Sequence, residues 1–161
     1  MPCSSRLLTT AVSTQGQDWD THFKGPLGGT HNVNLAQGLK SAAINFLASE
    51  GTQANASAFA AMSRQRMANL DDNFGQPTGM YSGDEHLPPV PDRNPGRGIE
   101  LCGVVESMFS YETMFQVHGD TRFADRAERV AFNALPATWA SPRGGDMCKD
   151  HHSHFPAFSS L

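Results

Sequence analysis

The sequence predicts an all-α protein built of helix hairpins with one long loop. Three observations carry that reading. Apolar residues recur at helical spacing in four segments. No stretch alternates apolar and polar residues as a half-buried strand would. Glycine and proline gather in residues 75–98 and 136–145, so the remaining segments run uninterrupted.

Residues 1–30 are polar and glycine-rich (Gln15-Gly-Gln-Asp18, then Gly25-Pro-Leu-Gly-Gly-Thr30) and read as an irregular entry. A first helix is expected from Val33 to Ala48, with Leu35, Leu39, Ala42, Ala43, Phe46 and Leu47 on its apolar side and Glu50-Gly51 at its end. A second spans Ala54 to Phe74, with a stripe of Phe59, Met62, Arg66, Met67 and Leu70. Asn55 or Ser57 is its candidate cap.

Residues 75–98 then form a loop too long to be a simple connection. It holds Met80, Tyr81, His86 and Leu87, which gives it apolar anchors that a linker lacks. A third helix is expected from Glu100 to His118, with Leu101, Val104, Val105, Met108, Tyr111, Glu112 and Phe115 on one side and Gly119 closing it. Asp120 caps a fourth, Thr121 to Ala134. Its apolar stripe is Phe123, Ala127, Val130, Ala131 and Leu135, and Asp125, Arg126, Glu128 and Arg129 form its wet face. Pro136 is the expected stop.

Composition excludes several classes. The chain has 161 residues, 39% of them apolar and 17% charged, which is enough apolar material for a core and too much for a disordered acidic tail. A net charge of −4 argues against a dedicated nucleic-acid binder. No apolar run reaches the length of a membrane span. The first twelve residues lack a sustained apolar segment, so no signal peptide is read and the balance leans to the cytoplasm. Three cysteines, at 3, 102 and 148, are too few for a disulfide scaffold, and Cys3 and Cys148 read as incidental thiols.

The residues able to carry chemistry concentrate between Gly79 and Glu106. Asp84 and Glu85 sit on a glycine-flanked loop. There a carboxyl group can serve as a general acid in a dry pocket, where burial raises its pKa, or form a solvated acidic turn. Glu100 and Cys102 fall at the start of the third helix. A thiolate and a carboxylate are both donors that zinc accepts, and the field of a helix N-terminus favours a thiolate. The alternative is a capping glutamate beside a small core residue. Glu106 lies one turn after Cys102 and reads as a carboxylate behind that pair or as a surface residue. His31, at a loop-to-helix boundary with Asn32 and Asn34, can line a sugar pocket or belong to a capping region; Lys40 reads as surface. The run Asp146-Met-Cys-Lys-Asp-His-His-Ser-His154 has the composition of a metal tract, but its surroundings do not look ordered.

Taken together, Gly79-Met-Tyr-Ser-Gly-Asp-Glu-His-Leu87, Gly98-Ile-Glu-Leu-Cys-Gly-Val-Val-Glu106 and Phe132-Asn-Ala-Leu-Pro-Ala137 resemble the catalytic domain of glycoside hydrolase family 127, the β-L-arabinofuranosidase-like enzymes. The His31–Lys40 stretch and the segment from Gly119-Asp120 to Glu128 fit the same resemblance. It implies part of an (α/α)6 toroid and retaining hydrolysis of a terminal furanoside at a zinc–thiolate site. By position, Glu85 would be the general acid/base and Glu100 and Cys102 zinc ligands. His31, Asp84 and His86 would contact a carbohydrate substrate. Members of the family complete the Zn2+ site with an adjacent downstream cysteine pair, and this sequence contains none. The expected organisation is an irregular segment 1–24, a partial catalytic domain 25–147 and an irregular tail 148–161. Such a fragment would be inactive alone and expose apolar helix faces. A helical carbohydrate-binding or interaction module that kept the fold and lost the chemistry is the alternative.

Overall fold

The structure, a computed structural model, describes residues 18–49, 53–82, 85–95, 97–137 and 152–153. Its helices are α1 (Trp19–His22), α2 (Asn32–Leu39), α3 (Ser41–Ala48), α4 (Gln53–Phe74), α5 (Leu101–His118) and α6 (Thr121–Ala137). Two-residue strands β1 (Ile99–Glu100) and β2 (His152–Ser153) pair antiparallel, with Glu100 opposite His152. The protein is all-α, as the periodicity predicts.

The helix expected from Val33 to Ala48 is two helices. Side chains from distant segments take the carbonyl groups of its middle turn. The Ser110 hydroxyl donates to the Ala36 carbonyl at 2.6 Å, and the Arg66 guanidinium donates to the Gly38 carbonyl at 3.3 Å and to the Ser41 hydroxyl at 2.5 Å. With these acceptors diverted, the ladder lapses at Lys40 and restarts at Ser41. Arg66 also pairs with Asp20 of α1, so one buried guanidinium ties α1, α2, α3 and α4 together. Burial lowers its pKa and the Asp20 carboxylate opposes that effect.

At the centre of the core, α5 packs chiefly on α6 and α2. Its buried face follows the expected apolar stripe at Val104 and Tyr111, with Met108 packed at its edge, and departs from it at Val105 and Phe115. Gly103, Val104, Ser107, Ser110, Tyr111 and Met114 face inward, whereas Val105 and Phe109 point outward and are about half exposed. Small residues let the neighbouring backbone approach, and the two serine hydroxyls find partners there, Ser107 at Tyr81 and Ser110 at Ala36. The expected exposure of apolar side chains is present at Val105, Phe109 and, most of all, Phe132. On α6 the buried face is Phe123, Val130 and Ala134. Fully burying a side chain such as Phe123 contributes roughly 1.5–3 kcal/mol.

The termini follow local chemistry. Gly119 adopts the left-handed conformation (φ 65°) and its N–H returns to the Phe115 carbonyl, ending α5. The Asp120 carboxylate accepts from the Arg122 N–H at 3.1 Å, the cap predicted for α6. Pro136 does not stop that helix, which continues to Ala137. A proline in the last turn removes one hydrogen bond near an end where solvent reaches the carbonyl it leaves behind. Arg126 leaves the expected wet face: its two terminal nitrogens grip the Asp71 carboxylate, and it lies over the Tyr111 ring.

Residues 75–98 are held against this frame. Met80, Tyr81 and Leu87 are buried, and isolated backbone bridges join Gly75 to Tyr81 and His31 to His86. The expected end of the first helix at Glu50-Gly51 lies outside the described residues, as do Cys3, Cys148 and most of the histidine-rich run.

Candidate functional site

Two backbone junctions position the predicted residues. At the first, the loop returns to the start of α2. The Asn32 N–H donates to the Glu85 carbonyl at 2.8 Å, and the Leu87 N–H to the Thr30 carbonyl at 2.9 Å. This brings His31, Glu85 and His86 together. The rings of His31 and His86 meet edge to face at 4.9 Å, and His31 Nε2 lies 3.6 Å from Glu85 Oε1. His31 is the N-cap residue of α2, yet its side chain makes no cap hydrogen bond, which leaves the imidazole turned to Glu85 and His86. The Glu85 side chain is 56% exposed and so is not enclosed in a dry pocket. Asp84 lies outside the described residues.

The second junction is the passage from β1 into α5. Glu100 is buried and stands at the N-cap position, without a side-chain cap hydrogen bond. Cys102, one residue into the helix, is an exposed free thiol and not the small core residue of the alternative reading. Burial, then the Glu100 carboxylate and more weakly that of Glu106, push its pKa up. Burial, with the flanking carboxylates behind it, opposes the thiolate that the helix N-terminus by itself favours.

The junctions meet across Gly103. A Cβ there would lie 2.9 Å from the Asn32 side chain, so only glycine lets the start of α5 pack against buried Asn32 at the start of α2.

Lys40 and Glu106 form a third element; the sequence reads Lys40 as surface and leaves Glu106 open between a surface residue and a carboxylate behind the Glu100–Cys102 pair. Lys40 Nζ lies 3.5 Å from Glu106 Oε2, 3.4 Å from Ser110 Oγ and 4.7 Å from the centre of the Phe109 ring. Burial lowers the lysine pKa, and Glu106 opposes this. The pair joins the turn between α2 and α3 to α5, 66 residues away, and no local pattern announces it.

Glu100 and Cys102 carry the donor types that zinc takes, a carboxylate oxygen and a thiolate. Among the described residues, no group of three histidine, cysteine or acidic side chains is placed to hold a metal ion. The donors therefore fit zinc in kind and fall short of a complete site. Also among the described residues, no helix is long and apolar enough to cross a membrane.

Neither the curated proteins nor the solved structures contain a match to the chain. The family model described as the beta-L-arabinofuranosidase, GH127 catalytic domain matches residues 9–148, which includes both junctions and the whole of α5. With 9–148 of its 161 residues matched, the chain belongs to the GH127 β-L-arabinofuranosidase catalytic-domain family of glycoside hydrolases.

Proposed function

We propose that the protein serves retaining hydrolysis of terminal β-L-arabinofuranosides, as part of an (α/α)6 toroid. The observation that supports this most is the junction joining His31, Glu85 and His86 within the matched segment. Glu85 is the general acid/base: its solvent-facing carboxyl group can donate a proton to the departing glycosidic oxygen and later take one from water. His31, whose Nε2 lies 3.6 Å away, flanks that carboxylate, and it and His86 contact the substrate. Asp84 contributes to substrate contact from the adjoining position. Glu100 and Cys102 are the residues of this chain that would hold Zn2+, which when bound supplies positive charge that favours the thiolate.

The test is turnover of an aryl β-L-arabinofuranoside together with zinc content. Glu85→Gln is expected to abolish turnover and keep zinc, and Cys102→Ser to lose zinc. Full activity after exhaustive chelation would remove the zinc assignment, and full activity in Glu85→Gln would remove the acid/base assignment. The solvent exposure of the Glu85 carboxyl group, outside a dry pocket, favours a second reading, a carbohydrate-binding module without catalysis. Saturable binding of the furanoside with no hydrolysis, by zinc-loaded protein, would select it.

A further inference from the structure

A groove of about 720 Å³ runs between the last turn of α4, the beginning of the long loop and α6, and none of the residues discussed above as catalytic or metal-binding lines it. Three guanidinium groups, of Arg93, Arg126 and Arg129, face it against one carboxylate, Asp71. That carboxylate is already used. Arg126 Nη1 donates to its Oδ1 at 2.7 Å and Nη2 to its Oδ2. The other two arginines are tethered to backbone only: Arg129 through Nε (3.1 Å) and Nη2 (2.7 Å) to the Pro77 carbonyl, and Arg93 through Nε to the Gly75 carbonyl at 3.4 Å. Among the described residues neither has an acidic partner.

Arg93 and Arg129 are solvent-exposed, and what sets them apart from other surface charges is their orientation. Each guanidinium is oriented by a loop carbonyl, and Arg129 is further fixed by the packing of its Cγ and Cδ against Gly79. Terminal N–H groups remain for a ligand. A planar fork with two N–H groups matches an oxyanion, and the groove has the volume of a small-molecule site. Asp125 and Glu128 lie beside Arg129 on the outer surface of α6, where they border the groove without lining it.

We propose that this groove binds an oxyanion group, a carboxylate, sulfate or phosphate, on a small solute through Arg93 and Arg129. The test is titration of the full chain, followed by calorimetry and by NMR of arginine side-chain N–H signals, with D-galacturonate, inorganic phosphate and neutral D-galactose at fixed ionic strength. Saturable binding of an anion that shifts the Arg93 and Arg129 signals is expected, weakening about tenfold, or 1.4 kcal/mol, in the Arg93→Gln/Arg129→Gln variant. Tighter binding of galacturonate than phosphate would make the ligand a sugar acid; the reverse would make it a free or phosphoryl anion. Galactose binding as tightly as galacturonate, no saturable anion binding, or anion signals unmoved at both arginines would overturn the proposal. The NMR arm uses the unaltered protein and so does not depend on the variant folding.

Discussion

The hydroxyl groups of Tyr81 and Ser107 lie 3.1 Å apart in a layer closed to solvent, and they join the middle of the long loop to the buried face of α5. Burial pushes the Tyr81 pKa far above the ordinary phenol value, although the bond to Ser107 works in the opposite direction. Tyr81→Phe removes one partner and leaves the other buried. A loss of about 1 kcal/mol is expected, or roughly 2–4 °C in melting temperature. Ser107→Ala should cost a similar amount, and the double variant less than the sum of the two. Additive losses would show that the two groups are not coupled.

Gly103→Ala inserts a methyl group where the Asn32 side chain lies 2.9 Å away. Asn32 is buried and has little room to withdraw. Overpacking of this kind costs about 1–3 kcal/mol. Denaturant unfolding measures it, and an unchanged midpoint would mean that the α2–α5 contact yields without strain.

Asp120 caps α6 and also accepts from both Arg122 and Arg64. Those hydrogen bonds, Arg122 first, hold its carboxyl below the ordinary carboxylate range. Asp120→Ala should cost about 1 kcal/mol for the cap alone. Asp120→Asn keeps the capping oxygen and loses only the charge attraction, so it should cost less. Equal losses in the two variants would assign the effect to the ion pairs and not to the cap.

Burial lowers the pKa of His22 and of His118, and at His118 Arg64 adds to the effect while Asp120 opposes it. The unfolded chain therefore takes up protons that the folded chain resists. The stability is fully present above the ordinary histidine value of 6.5 and declines as pH falls through it toward the lowered folded values. Melting temperature should drop between pH 7.5 and about pH 5.5. His118→Gln should flatten part of that slope while keeping a polar atom near Ser63, its partner at 3.0 Å. A slope identical to that of the parent would exclude His118 as its source.

The long helices α4 and α5 were legible because their periodicity is local, and the cap of α6 because Asp120 acts on the residue two ahead of it. What escaped was set by partners far away in sequence. The division of α2 from α3 depends on Arg66 and Ser110, 28 and 74 residues from the carbonyls they take. Arg126 has a polar neighbourhood on its own helix, and its burial depends on Asp71, 55 residues earlier. At the candidate site, Glu100 and Cys102 were readable together because they are neighbours in the chain. The approach of Glu85 to His31 rests on one backbone bridge that no spacing encodes, and only the family resemblance placed the two in one site.

The buried guanidinium of Arg66 bears on where the chain tolerates a cut. Asp20 is the acidic partner that offsets it, and Asp20 belongs to a helix of only four residues. Cleavage between α1 and α2 would sever that short helix from the rest while leaving Arg66 enclosed by Gly38 and Ser41. The charge would then stay in a low-dielectric setting without its counterion. Limited proteolysis at Pro26–Thr30 should therefore yield a product that loosens at α4, at a distance from the nick.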